Sequence, residues 1–269
     1  MLSLKAHNSV PDRMRIEDYT RTSSTVVMPI ELRRADGNFT ACFAMTRKGL
    51  PELASLRHLY LNENDSLYFE QLRAERRQHS FLLGRYAAKT AVAALTGEQD
   101  LQQITIHSGV FTQPIVRCAS HSNVQVSIAH SGKWGAALAF PEAHPMGMDL
   151  EETHGPGHGA IATQLSDAEH ALLASLHLEQ MSALSLAWTA KEALSKIFRT
   201  GLMADLLVYE LKSIAATQDG FESMFKNWAQ YKALSWFFDG MTCSIALPHR
   251  SSFDLTRVID IQKRIADLP

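Results

Sequence analysis

Strand-like and helix-like segments follow one another in blocks, without the regular alternation that builds a doubly wound sheet, and this order constrains the fold more than any other feature of the chain. Val26–Met45 holds two β-rich runs, VVMPIELRR and NFTACFAM, which meet at Ala35-Asp36-Gly37, where glycine supplies the positive φ of a tight turn. From Ser66 to Leu95 the pattern is helical, with Phe81, Gly84, Ala88, Ala91, Val92 and Leu95 on one face and Gly97 at the C-cap position. Val124–Ala129, Trp134–Phe140 and Pro145–Leu150 read as three successive strands, which predicts a meander. Gly155-Pro156-Gly157-His158-Gly159 breaks the chain, Ser166-Asp167-Ala168-Glu169 carries a capping box, and a second long helix is expected over Ala183–Phe198. Leu206–Pro248 returns to strands, with turns at Asp219-Gly220 and Asp239-Gly240. The order β, α, β, α, β predicts an α+β fold.

A chain of 269 residues, 46% of them hydrophobic, can fill one large core or two small ones, which excludes disorder and fibrous classes. Lys and Arg total 26 against 28 Asp and Glu, a formal charge of -2, so no chain-wide positive field gathers nucleic acid or anionic lipid. Anion binding must be local. Cys42, Cys118 and Cys243 are far apart with no CxxC spacing, so neither a disulfide framework nor a zinc knuckle is expected. The charged and Pro-broken start MLSLKAHNSVPDRMRIEDY builds no export signal, and nowhere do 18 apolar residues run together, so a cytoplasmic protein without a membrane span is expected.

Three groups of residues carry chemistry. Asp149 and Glu151 in MGMDLEE are two apart on a strand and leave the same face, a hard-oxygen pair suited to Mg²⁺; a solvated strand end explains the same spacing. Trp188, Glu192 and Lys196 in LAWTAKEALSKIF recur at helical spacing along one stripe, which an intrahelical Glu–Lys pair beside a half-buried indole also explains. His130 ends a strand beside Ser131-Gly132, a turn whose amides could cradle an anion. In the first long helix Arg85 falls near the centre of the apolar arc. It answers either to a bound anion or to a core carboxylate, whereas Arg73, Arg76 and Arg77 read first as a solvated face. No HExxH, Walker A, GxGxxG or GxSxG pattern occurs, which leaves zinc hydrolases, dinucleotide folds and hydrolase triads without a foothold.

The order Gln113-Pro114, SIAHS (Ser127–Ser131), GMDLE (Gly147–Glu151) and WTAKEALSK (Trp188–Lys196) resembles the 4'-phosphopantetheinyl transferases of the larger, monomeric, surfactin-type branch, over about Ser66 to Leu202. The resemblance implies two similar α+β halves with coenzyme A in the cleft between them. It divides the chain into a coenzyme A side, 1–124, and a metal-binding core, 125–269. It further implies that Asp149, Glu151 and Glu192 hold Mg²⁺ on the coenzyme A pyrophosphate, that Lys196 contacts the same phosphates, and that His130 grips the 3'-phosphate. Ser131, Gln113, Pro114 and Arg77 or Arg85 are then expected to complete the nucleotide site, with Asp149, Glu192 and Lys196 as catalytic residues and Glu192 as base. The implied activity moves phosphopantetheine from coenzyme A to a serine of an acyl, polyketide or peptidyl carrier protein, with Lys226–Lys232 a candidate carrier-binding strip. Alternatives are a non-catalytic carrier or coenzyme A binding relative and a Mg²⁺-dependent pyrophosphate hydrolase. The chain departs from the pattern where Thr112-Gln113-Pro114 replaces Gly-Lys-Pro and where Arg199-Thr200-Gly201 replaces Gly-x-Gly.

Overall fold

The computed structural model describes residues 24–119, 121–155 and 158–266; residues 1–23 of the expected first half and Pro156-Gly157 of the expected break lie outside the described residues. Strands β1 (Thr25–Arg34) and β2 (Gly37–Thr46) form the expected hairpin, with Arg34 opposite Gly37. Helix α1 (Leu50–Tyr60), on which the sequence pattern is silent, follows. The helical stretch expected from Ser66 to Leu95 is two helices, α2 (Glu63–Gln71) and α3 (Glu75–Thr96). Leu72 is extended at the break, and the Gln78 side chain donates to its carbonyl. No Gly or Pro marks that break, so periodicity carries no sign of it. Gly97 caps α3 in the left-handed conformation, φ 78°, with its N–H on the Ala93 carbonyl.

A second hairpin, β3 (Ile104–Ser108) and β4 (Pro114–Cys118), is likewise not signalled by the sequence pattern. Next come β5 (Val124–Ser131), β6 (Trp134–Pro141) and β7 (Gly147–Glu152). Helices α4 (His158–Ala162), α5 (Asp167–Ala174) and α6 (Gln180–Phe198) lead to β8 (Leu211–Thr217), β9 (Gly220–Phe225), β10 (Tyr231–Phe238), β11 (Met241–Pro248) and α7 (Leu255–Ala266). The capping box at the start of α5 forms as expected, with Ser166 and Glu169 satisfying each other's backbone N–H groups.

Two antiparallel sheets result, β1-β2-β6-β5 and β7-β11-β10-β9-β8. The expected meander is therefore corrected: β5 and β6 pair, but β7 joins β11, a partner formed about ninety residues later that local alternation cannot reveal. The division expected at residue 124/125 falls inside the first sheet, since β5 and β6 are bonded on to β2; a break between Pro141 and Gly147 follows the sheets instead.

Alternation along the strands stacks these elements as helix, sheet, sheet, helix. On β6, Trp134, Leu138 and Phe140 face the core between the sheets, while Ala137 and Ala139 face α3. On β11, Cys243, Ile245 and Leu247 face that same core, while Ala246, Thr242 and Ser244 turn to α6. Small residues under each helix let it lie close. A Cβ at Gly135 would come within 2.8 Å of Leu83 Cβ on α3, and one at Gly147 would collide with the Ala193 carbonyl on α6. The molecule is α+β, built of two similar halves that each lay one long helix on an antiparallel sheet. Among the described residues no helix is long and apolar enough to cross a membrane.

Candidate functional site

Edge strands β5 and β7 meet where the two sheets abut. The Ser127 hydroxyl accepts the Met148 N–H at 2.9 Å, and the Ser131 hydroxyl accepts the Glu152 N–H at 3.2 Å. This seam fixes the order of side chains along both strands. Met148 and Leu150 enter the inter-sheet core, so Asp149 and Glu151 leave β7 on the other face, towards α6. Close approach of α6 at Gly147 then brings Glu192 and Lys196 over the same face.

Lys196 donates to Asp149 Oδ1 at 2.8 Å, to the Met148 carbonyl at 2.8 Å and to the Ile128 carbonyl at 3.1 Å, so its three protons span the seam. Its ion pair is with the strand acid and not with Glu192. Ser131 donates to Glu151 Oε2 at 2.9 Å. Asp149 Oδ2 and Glu192 Oε1 are buried and accept no hydrogen bond. Burial and the Asp149 charge raise the Glu192 carboxyl to about 7, and burial and Asp149 likewise raise Glu151 to about 7. Among the described residues no three His, Cys, Asp or Glu side chains form a ready-made metal cluster, so the expected convergence of Asp149, Glu151 and Glu192 is not assembled. Carboxylates repel, and here Lys196 holds one while Ser131 holds another. The donor chemistry nevertheless fits a hard cation: Asp149 on β7 and Glu192 on α6 each keep a buried carboxylate oxygen without a partner, and their charges interact.

A cleft of about 1110 Å³ opens beside Glu151. Tyr68, Arg76, Arg77 and Phe81 of the first half form one wall, Glu151, Gln164 and Trp188 of the second form the other, and His130-Ser131-Gly132 lies at the floor. His130 is exposed to this space, yet the surrounding walls and then Lys196 push its imidazole below the usual range. Arg77 stands in the cleft wall, and Arg76 joins it. Arg85 does not: its Nε lies 2.9 Å from Asp65 Oδ1, and Asp65 also holds buried Lys89 at 2.6 Å. The core-carboxylate alternative describes Arg85. Gln113 and Pro114 line a separate hollow of about 50 Å³ with Gln125, Glu142, Lys196 and Arg199. Lys226 and Lys232 are paired with Glu210 and Glu222, at 2.7 and 2.9 Å, which blunts the expected basic strip. Sequence reasoning missed Tyr68, Gln164 and Ser127. Ser127 shares a strand face with Ala129 and Ser131 and was legible by alternation, whereas Tyr68 and Gln164 carry no distinguishing spacing.

The sequence model of the 4'-phosphopantetheinyl transferase superfamily matches residues 145–246, less than half of the chain. No curated protein matches. Among solved structures, a holo-(acyl-carrier-protein) synthase from Bacillus anthracis in complex with CoA (3',5'-ADP) is 20% identical, over 43% of this chain and 96% of that one, with a TM-score of 0.32. A holo-ACP-synthase from Plasmodium yoelii is 15% identical over 44% of this chain and 95% of that one, also at 0.32. The Thermotoga maritima holo-[acyl-carrier-protein] synthase is 15% identical over 47% and 68%, at 0.28.

Proposed function

We propose that the protein moves the 4'-phosphopantetheine arm of coenzyme A on to a serine of an acyl, polyketide or peptidyl carrier protein, as a monomeric enzyme of the surfactin-type branch. One observation carries this reading: Glu151 lines a cleft whose facing wall presents Arg76 and Arg77, and its charge neighbours Asp149 and Glu192 each keep a buried carboxylate oxygen without a partner. Such a site suits a polyanion that brings a cation with it. The superfamily match encloses Asp149, Glu151, Glu192 and Lys196, and both walls of the cleft come from one chain.

In this reading Asp149, Glu151 and Glu192 hold Mg²⁺, which when bound neutralises charge on the pyrophosphate. Arg76, Arg77 and His130 receive the nucleotide's phosphates. Serine Oγ forms a bond to the phosphorus next to the pantetheine arm, the bridging P–O bond breaks, and adenosine 3',5'-bisphosphate leaves. Glu192, on the helix that faces Asp149, takes the serine proton. Lys196 pairs with Asp149 at 2.8 Å and orients it before substrate arrives.

Incubating the protein with coenzyme A, Mg²⁺ and an unmodified carrier tests this directly. Transfer adds about 340 Da to the carrier, the mass of the arm moved in the phosphoryl transfer. Adenosine bisphosphate without carrier modification would indicate a hydrolase, and neither product would indicate a binding module.

A further inference from the structure

Among the described residues exposed apolar side chains gather in three patches, one of which, at Leu67 and Tyr68, borders the cleft that Tyr68 lines. Met203 and Leu207 sit with Asp167 and Asp205, and Leu67 and Tyr68 lie on a helix that also carries Glu63 and Glu70. Acids there repel an acidic visitor. The third patch is the tip of the β3–β4 hairpin, where Val110 is 91% exposed, Phe111 50% and Ile115 36%. Between Asp100 and Glu142 the chain has no carboxylate at all, while Arg117 on β4 is exposed and Arg199 lies at the foot of the hairpin. Glu142 is the acid in that hollow, and it shares it with Arg199 and Lys196.

The tip is held in shape without a partner. The Thr112 N–H donates to the Gly109 carbonyl at 3.0 Å, the Gly109 N–H donates to the Gln113 carbonyl at 2.7 Å, and the Phe111 N–H donates to the Gln113 side-chain oxygen at 2.9 Å. Thr112 takes φ 65°, a left-handed conformation disfavoured for a β-branched residue. A locked turn that points two large apolar side chains at water is organised for burial by something else, because little ordering entropy remains to be lost on contact.

We propose that the β3–β4 hairpin is the docking surface for the carrier protein, whose acidic, amphipathic face covers Val110 and Phe111 and meets Arg117. The proposal rests on the transferase reading and adds to it the place where the protein substrate is held, at the foot of which Lys196 emerges from the catalytic seam. Apolar anchors supply most of the affinity, and the uncontested positive charge supplies steering and salt sensitivity.

Binding of a fluorescently labelled, unmodified acyl carrier protein of net negative charge, followed by anisotropy, reads the contact without requiring turnover. The double variant Val110→Ser/Phe111→Ser is expected to bind about tenfold or more weakly, as loss of two anchors implies. Arg117→Glu should weaken binding in the same direction and flatten its salt dependence. Where the wild type modifies the carrier, the double variant raises the carrier KM and leaves the coenzyme A KM unchanged. Equal binding by wild type and variants overturns the docking site even if transfer proceeds, and so does absence of carrier binding by the wild type. A sedimentation shift from dimer to monomer in the double variant also overturns it, since a second copy would then be the occupant. Hairpin-dependent binding without any transfer would leave the docking site standing while removing the proposed chemistry. A thermal melt matching the wild type confirms that each variant is folded.

Discussion

Asp149 and Glu192 each keep one buried oxygen without a donor, a condition that opposes folding until a bound group satisfies it. Replacing Glu192 by Gln removes a charge from a place where burial and Asp149 already resist it, so stability and activity should move in opposite directions. Chemical denaturation at pH 8 without metal is expected to show E192Q more stable than wild type by about 1–3 kcal/mol, from about 1.4 kcal/mol per unit of the shift it removes. Carrier modification by the same variant should be lost. Asp65 makes the converse case. It is 4% exposed and holds Arg85 and Lys89 together, so D65A leaves a buried lysine and a half-buried arginine without their shared carboxylate and should cost about 3–5 kcal/mol in a denaturant melt. An unchanged melting midpoint would return Arg85 to the candidates for phosphate binding.

Among the elements, β7 and α6 decide whether the site exists, and Gly147 decides how closely they approach. G147A places a methyl against the Ala193 carbonyl, and overpacking of this kind costs about 1–3 kcal/mol, readable as a lowered melting temperature. In the enzyme assay the same variant should depress turnover further than its stability loss accounts for, because Glu192 and Lys196 move with the helix. Much of this architecture was legible in the chain. The β1–β2, β8–β9 and β10–β11 turns announced themselves by Asp-Gly pairs and α5 by its capping box, while α6, expected over Ala183–Phe198, begins three residues earlier at Gln180. Alternation placed Asp149 and Glu151 on one face and Leu150 on the other, as observed. Pairing over distance was not legible: nothing local in GMDLEE distinguishes a third meander strand from the edge of another sheet. The partner of Arg85 was hidden for the same reason, since Asp65 lies on a separate helix across an unmarked break. Lys196 likewise sits one turn from Glu192 in sequence, yet its ammonium reaches across to β7.

At the scale of the molecule the two sheets are joined by the link from β6 to β7, and His144 in that link is buried against the far end of the chain. Its Nε2 lies 2.7 Å from Ser251 Oγ, after β11, and its ring meets Phe39 on β2 at 5.1 Å between centroids. Burial holds this imidazole below its usual pKa, with Arg34 adding to the shift and Asp36 opposing it. The unfolded chain therefore takes up a proton near pH 6.5 that the folded chain refuses, and stability falls as pH drops through that value. One such group contributes a slope of at most about 1.4 kcal/mol per pH unit. Glu151 and Glu192 act with the opposite sign: their folded values of about 7 exceed the ordinary 4.5 of a glutamate, so stability falls as pH rises between those limits. Wild-type stability alone would mix the two trends. Comparing wild type with H144Q by urea denaturation at pH 7.5, 6.5 and 5.5 separates them, since the amide can still bond Ser251 but does not titrate. The gap between the two proteins should shrink steadily towards pH 5.5; a constant gap would show that His144 binds its proton equally well folded and unfolded, and a widening gap that the fold favours the protonated ring.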